Sequence, residues 1–197
     1  MIAGIILAGG ASLRMGKPKP LLTIGQETFL QHITQTLHKA RINETVIVLG
    51  AYGEEIQSTL TWYSGKVVIN SEWQLGQLSS LKAGLTLYNA KDIHGVLVYP
   101  VDHPLVSQEV LVEMLHCFWT SDKNIIIPTF KGKRGHPVIF GRPMIEKLIS
   151  ASNEKGAKEV VRLFPNEIYE VPVNGMGVLL NIDTPEDYQT YILKSNV

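Results

Sequence analysis

Short runs of aliphatic and β-branched residues alternate with longer amphipathic stretches along the whole chain, and this alternation limits the fold more than any other feature. Ile2 to Leu7, Thr45 to Leu49, Lys66 to Ile69 and Gly95 to Tyr99 have the length and composition of buried strands. Helical patterns lie between them over Glu27 to Arg41, Gly53 to Leu60 and Leu78 to Tyr88, the first carrying Phe29, Leu30, Ile33 and Leu37 on one side. Strands joined by helices of this length need right-handed crossovers, so the expectation is a mainly parallel sheet covered on both faces. A helix over Gln108 to Trp119 then leads to Asn124 to Pro128 and His136 to Phe140, read as a hairpin across Lys131-Gly132-Lys133. Two short helices near Pro143 to Ser150 and Ala157 to Phe164, strands at Ile168 to Pro172 and Val178 to Leu180, and a last helix over Pro185 to Leu193 complete the series.

A chain of 197 residues is long enough for one ordinary domain, and 45% apolar against 18% charged residues is the balance of an ordered globular protein. Eighteen basic residues against eighteen acidic ones leave no basic surplus for binding nucleic acid through its backbone, so any phosphate must be held locally. No apolar run is long enough to cross a bilayer, Met1 leads directly into a strand, and the lone Cys117 excludes an intrachain disulfide. A cytoplasmic location without membrane attachment is the expectation.

In parallel sheets ligands bind beyond the carboxyl ends of the strands. The segment after the first strand, Leu7-Ala8-Gly9-Gly10-Ala11-Ser12-Leu13-Arg14-Met15-Gly16-Lys17-Pro18-Lys19, combines three glycines, a serine and three cations with no acid. Glycine-rich turns after strands are common as plain loops; the cations are what point to phosphate, with Gly9 and Gly10 presenting backbone N–H donors and Arg14, Lys17 and Lys19 adding charge. A Walker loop ending at Gly16-Lys17 would need glycine at Ala11 and Ser or Thr at Pro18. A dinucleotide fingerprint would need spaced glycines opening a helix, whereas Pro18 and Pro20 keep the chain extended.

The run Leu7 to Leu22 resembles the signature Leu-Ala-(Ala/Gly)-Gly-x-(Ser/Gly/Thr)-x-Arg-Met-Gly-x-x-Lys of the nucleotidyltransferases, and the resemblance extends from Ile2 to about Tyr191. Pro18-Lys19-Pro20-Leu21-Leu22, Gly76 to Leu81, Asp102-His103-Pro104 and Gly135-His136-Pro137 look most like the MocA-like branch, the molybdenum cofactor cytidylyltransferases. The resemblance implies a three-layer α/β/α, Rossmann-like nucleotidyltransferase fold in one domain. About 1–105 would bind the nucleotide and about 106–197 the acceptor. It also implies transfer of CMP from CTP to the terminal phosphate of molybdopterin-bound molybdenum, with Mg²⁺ as cofactor and a molybdenum hydroxylase apoenzyme as recipient. Leu7-Ala8-Gly9-Gly10 is instead the form usual in guanylyl-transferring relatives, which keeps GTP open as the substrate. The same nucleotide half would also serve a sugar- or alditol-phosphate nucleotidyltransferase, and binding without turnover would make the chain a non-catalytic molybdenum cofactor chaperone.

The resemblance places Leu7, Ala8, Gly9, Gly10, Ser12, Arg14 and Lys19 at the nucleotide, with Arg14, Lys19 and Asp102 as the catalytic set. Asp102, beyond an apolar strand, has the position of a divalent-metal ligand and equally that of a turn residue; the matching acid of the family is a ligand. Asp183, in Asn181-Ile182-Asp183-Thr184-Pro185-Glu186-Asp187, or its neighbour Thr184 suits a helix cap, and the resemblance makes Asp183 the second metal ligand, although Asn181 replaces the family's first Asp. Asn70, Gly76 and Ser79 are implied base or ribose contacts, Ser79 being equally suited to a helix cap. His103, Gly135 and His136 are implied on the acceptor side. His32, His38, His94, His116 and Cys117 lack partner spacing and read as structural. Phosphate attack on a triphosphate needs little general base, because a phosphate monoester is largely dianionic at neutral pH.

Overall fold

The computed structural model of the chain describes residues 1–88 and 92–194. Strand β1 (Ile2–Ala8) is followed by two short strands, β2 (Thr23–Ile24) and β3 (Glu27–Thr28), and by helix α1 (Phe29–Lys39). Next come β4 (Thr45–Leu49), α2 (Gly53–Thr59), β5 (Lys66–Ile69), α3 (Gln77–Leu85), β6 (Gly95–Pro100) and α4 (Gln108–Thr120). The second half contains β7 (Ile125–Phe130), β8 (Lys133–Arg134), β9 (Val138–Gly141), α5 (Arg142–Ser150), α6 (Ala157–Leu163), β10 (Ile168–Pro172) and α7 (Pro185–Tyr188).

The main sheet runs β10-β7-β9-β6-β1-β4-β5, with β8 paired to β7. Every residue of β1 is buried, as an apolar strand covered on both faces must be. Ala3, Ile5 and Leu7 face a core completed by α3, α5 and α6, including Leu78, Leu81, Met144, Ile145, Leu148 and Val160. Ile2, Ile6 and Ala8 face the opposite core, where Phe29, Leu30, Ile33 and Leu37 of α1 meet Leu111 and Met114 of α4. Each fully buried aliphatic side chain contributes about 1.5–3 kcal/mol, so two continuous cores hold the three layers together. This is the α/β/α sheet the alternation predicts, mostly parallel as expected: β1 is parallel to β4 and β6, β5 to β4, and β10 to β7.

Several details differ from the reading of the sequence. The first helix starts at Phe29, because Thr28 caps it: Gln31 N donates to Thr28 Oγ1 and Thr28 N to Gln31 Oε1. Glu27 and Thr28 instead pair with β2. The expected hairpin of 124–128 with 136–140 is present, Ile125 and Ile126 pairing antiparallel with Phe140 and Ile139, and β8 extends it toward the turn by pairing with the end of β7. β9 then inserts between β7 and β6, antiparallel to both. Val178 to Leu180 is not a strand but lies in a 3₁₀ turn over Met176–Leu179 and its exit. Gly177 sits so close to the Leu105 carbonyl that a Cβ would lie 2.1 Å from it, and the Val178 carbonyl accepts from His136 N at 2.9 Å, so this backbone is committed outside any ladder. The last helix is α-helical only to Tyr188 and continues to Leu193 with π geometry; Thr184 caps it through a reciprocal box with Asp187.

β7 runs in the same direction as β6, since β9 is antiparallel to both, so the carboxyl ends of β1, β4, β5, β6 and β7 share one edge of the sheet. The loops at that edge form the site.

Candidate active site

The loop after β1 begins with a close backbone contact. Gly9 carbonyl accepts from Ala51 N at 3.1 Å, and a Cβ on Gly50 would lie 2.3 Å from the same oxygen, so only glycine at 50 permits the approach. Gly10 faces open space. Ser12 adopts a left-handed conformation (φ 52), and its carbonyl accepts from Met15 N and Gly16 N at 3.0 Å each. Its Oγ accepts from the Lys19 backbone N–H at 3.2 Å, and Pro18 leads into the 3₁₀ turn that presents Lys19. The serine therefore folds the loop back on itself and returns the lysine to its base, where the side chain is only 12% exposed.

There Lys19 Nζ donates to Asp183 Oδ1 and lies 3.6 Å from Asp102 Oδ2. Arg14 Nη2 reaches Asp183 Oδ2 at 2.8 Å from a largely exposed position, and Asn181 Nδ2 donates to that same oxygen at 2.6 Å. Asn181, the departure from the family pattern, thus acts as a neutral donor to the acid beside it. Asp102 and Asp183 belong to distant segments joined by one backbone bond, Ile182 N to the Asp102 carbonyl at 2.8 Å. Tyr99, fully buried at the end of β6, donates its hydroxyl to the His103 carbonyl at 3.1 Å and fixes the same turn. Partial burial pushes the Asp183 carboxyl up, but the Lys19 hydrogen bond and charge, and then those of Arg14, outweigh it and hold the group below the usual carboxylate range.

Asp102 Oδ1 is buried without a hydrogen-bond partner. His103 Nε2 is 3.8 Å away, and the His103 and His136 rings lie 4.9 Å apart, each with a buried, unpartnered Nδ1. Burial lowers the His103 pKa to about 4 against the opposing pull of Asp102, and lowers that of His136 as well, so both imidazoles are neutral at pH 7. Among the described residues no group of three His, Cys, Asp or Glu converges. Two carboxylates, Asp102 and Asp183, flank the Lys19 ammonium, a pair of oxygen donors that fits a hard divalent cation completed by substrate phosphates and water rather than by further protein ligands.

Two cavities at this edge of the sheet share part of their walls, and the first includes Lys19 and Asp102. A cleft of about 340 Å³ is lined by Leu7, Ala8, Gly9, Gly10, Ala11, Ser12, Lys19 and Asp102 on one side and by Trp73, Gly76, Gln77 and Ser80 on the other. A second, of about 490 Å³, is bounded by β7, β9 and the turn before α6 and contains Gly135, His136 and Asn153. They share Leu7, Gly76, Gln77 and Pro100. Arg14 touches the site through Asp183, while Asn70, Ser79 and His103 do not line either cavity. Asn70 Nδ2 donates to Ser79 Oγ at 2.9 Å and to Ser80 Oγ at 3.1 Å, and Ser79 Oγ donates to the Gly76 carbonyl at 2.8 Å. Asn70 and Ser79 therefore hold Ser80 and the start of α3 in place, and the actual N-cap of α3 is Gly76. Ser80, Trp73, Gln77 and Asn153 are lining residues that the sequence reading did not single out. Which of two adjacent serines faces a cleft depends on helix phase, and only the docking of α3 fixes that phase.

A family model described as the MobA-like NTP transferase domain matches residues 4–170. The chain belongs to that family, and so to the nucleotidyltransferases. The matched residues contain the glycine loop, Lys19, Asp102 and the walls of both cavities; Asp183 lies beyond them. Three relatives are similar over nearly the whole chain. The molybdenum cofactor cytidylyltransferase of Escherichia coli (strain K12) is 27% identical, covering 94% of this chain and 93% of that protein. The nicotine blue oxidoreductase of Paenarthrobacter nicotinovorans is also 27% identical, with the same coverage of 94% and 93%. A molybdenum cofactor guanylyltransferase of Shewanella halifaxensis (strain HAW-EB4) is 24% identical over 95% of this chain and 92% of its own. The crystal structure of Rv0371c from Mycobacterium tuberculosis H37Rv has the same fold, with a TM-score of 0.83 at 24% identity over 98% of both chains. Relatives of equal identity thus carry different named activities, and the reaction must be argued from the site.

Proposed function

We propose that this chain transfers CMP from CTP to the terminal phosphate of a molybdopterin-type acceptor, releasing pyrophosphate. The observation that carries the proposal is the adjacency of the two cavities: a cleft with a glycine loop, the largely buried Lys19 and Asp102 shares the wall of Leu7, Gly76, Gln77 and Pro100 with a second cavity, and Asp183 stands against Lys19 beside it. Two substrates can meet at such a shared wall, as group transfer requires. Every residue lining the first cleft lies between Leu7 and Asp102, which supports assigning about 1–105 to the nucleotide and the remainder of a single domain mainly to the acceptor.

In this reading Gly9, Gly10 and Ser12 carry the phosphates on backbone N–H groups, while Gly76 and Ser80 border the base and ribose. Asn70 and Ser79 act on the nucleotide through Ser80 rather than by touching it. An acceptor phosphate oxygen forms a bond to the α-phosphorus as the bond to the β-phosphate breaks, and pyrophosphate carries away the electron pair. Lys19 leaves Asp183 for the charge that builds on the phosphates, and Arg14 supports the leaving group. Asp102 and Asp183 are the residues that would hold Mg²⁺, which when bound supplies charge neutralisation at the phosphates. His103 stands behind Asp102, and Gly135 and His136 border the acceptor, His136 as a neutral hydrogen-bonding group.

Cytidylyl transfer is favoured by Pro18-Lys19 and by Ser79-Ser80-Leu81; guanylyl transfer is the second reading, favoured by glycine at position 9, which leaves the loop at its least bulky. The test is incubation with Mg²⁺, molybdopterin-type acceptor and each of the four nucleoside triphosphates, followed by mass identification of the product. A cytosine dinucleotide product with pyrophosphate is expected. A guanine product moves the reading to the second form, and binding without pyrophosphate release overturns transfer altogether.

A further inference from the structure

Four residues belong to the walls of both cavities: Leu7, Gly76, Gln77 and Pro100. Leu7 is aliphatic and 6% exposed, Pro100 is buried and has no N–H, and Gly76 has no side chain. Gln77 is thus the one shared residue whose side chain can form hydrogen bonds. It is exposed, and its carboxamide makes no hydrogen bond with any other described residue. The backbone that carries it is fixed. Gly76 stands in the left-handed region (φ 97), its N–H donates to the Trp73 carbonyl at 3.1 Å, and its own carbonyl accepts from Ser79 N at 3.1 Å and Ser79 Oγ at 2.8 Å. Gln77 follows as the first residue of α3, so this turn sets where its Cα stands in the shared wall. Polar neighbours in the two walls are already engaged: Ser80 with Asn70, Lys19 with Asp183 and Arg134 with Glu170.

We infer that Gln77 aligns the two substrates with each other: its Oε1 accepts from a ribose hydroxyl of the nucleotide, and its Nε2 donates to the terminal phosphate of the acceptor. A carboxamide suits this place because it carries an acceptor and a donor on one planar group, whereas a ribose hydroxyl can donate and a phosphate dianion only accepts. A lysine here would serve the phosphate alone, and a glutamate the ribose alone. Two substrates tied to one side chain lose relative motion, and that loss is the part of the barrier that positioning removes. This role rests on the transfer reading above, but its nucleotide half is measurable without turnover.

The test compares Gln77→Glu, Gln77→Leu and Gln77→Asn with the natural protein in steady-state transfer from CTP to the molybdopterin-type acceptor with Mg²⁺. Affinities for CTP and 2′,3′-dideoxy-CTP are measured separately by calorimetry. Gln77→Glu is the decisive variant, because an acid in the first turn of a helix favours the helix. If Gln77 only starts α3, that variant keeps both its melting temperature and its turnover. In the role assigned here it keeps its melting temperature and its CTP affinity, but the carboxylate repels the acceptor phosphate, so KM for the acceptor rises at least tenfold and kcat falls. Gln77→Leu should lose the ribose contact as well, so that removing the ribose hydroxyls weakens its binding less than it weakens binding by the natural protein. Gln77→Asn, one methylene shorter, should transfer at a rate between those of Gln77→Leu and the natural protein. Unchanged transfer by Gln77→Glu, or a loss of its CTP affinity as large as the rise in KM for the acceptor, overturns the inference. An equal penalty for the dideoxy nucleotide in Gln77→Leu and the natural protein overturns it too. A natural protein that binds CTP through Gln77 and forms no product overturns the transfer reading instead and leaves the ribose contact standing.

Discussion

Lys19 and Asp183 are in direct contact although 164 positions separate them in the chain. The loop after the first strand and the entry to the last helix therefore complete one charge cluster, in which Lys19 and Arg14 balance Asp183 and Asp102. Such a cluster is self-satisfied without substrate and can open when phosphate competes for the lysine. The acids are then left facing the phosphates, and that is where substitution should have its largest effect.

Asp102→Ala and Asp183→Ala should each lower pyrophosphate release by roughly a thousandfold or more, because in the proposed reading both carboxylates would hold a divalent cation, and losing such a ligand costs several kcal/mol of transition-state stabilisation. Circular dichroism should show both variants folded. A folded Asp102→Ala protein with unchanged pyrophosphate release would remove Asp102 from the site.

Lys19→Ala should lower kcat more than it raises KM for the nucleotide, because in the resting site its charge is spent on Asp183 and is committed to phosphate only as charge develops. Steady-state kinetics decides this. If KM alone rises, Lys19 is a ground-state anchor. Arg14, more exposed and held through Asp183, should affect both constants to a smaller extent.

The β1, β4, β5 and β6 strands were legible in the sequence because each is a short apolar run bounded by turn residues, and their helices because of apolar spacing. The same rules failed where long-range pairing decides the outcome. β9 pairs with β7 as the expected hairpin, but nothing local in Val138–Gly141 specifies its second antiparallel neighbour, β6. The turn at Val178 is set by carbonyl contacts to His136 and a tight approach to Leu105. In the site, Lys19 and Asp102 stand out because charged residues are scarce near strand ends, whereas Ser80's place in the cleft is visible only once α3 is docked.

Acid should destabilise the protein through His103. Its pKa is lowered by burial to about 4 in the fold, against about 6.5 in the unfolded chain. Above pH 6.5 the ring is neutral in both states and contributes nothing to the pH dependence. Between 6.5 and about 4 the unfolded chain binds a proton that the fold refuses, so stability falls as pH falls, by at most about 3 kcal/mol. Urea midpoints at pH 7, 5.5 and 4 should decline more steeply for the natural protein than for His103→Gln. Equal slopes would show that His103 is not the group responsible. His136, also lowered by burial, should leave a residual slope in the variant.

Base choice is where the structure changes the argument about Gly9. An alanine there suggests itself as a way to narrow the nucleotide cleft, but its methyl would lie 3.1 Å from Ser80 Oγ and 3.5 Å from the Gly50 backbone. It presses on the α3 serine before it reaches any base. Ser80 lines the cleft and is held by Asn70 Nδ2 at 3.1 Å, so a displacement of a few tenths of an ångström passes to the wall beside the base. Gly9→Ala should therefore shift the ratio of kcat/KM for CTP over GTP toward CTP, and the shift should depend on Ser80. A one-methyl change alters discrimination by about 1–3 kcal/mol, and a relayed one belongs at the low end of that range. In a Ser80→Ala background the methyl has more room, and its effect on the ratio should largely vanish. Kinetics of the two single variants and the double variant with both nucleotides decide the matter: additive effects would mean that Gly9 acts on the base directly and not through Ser80.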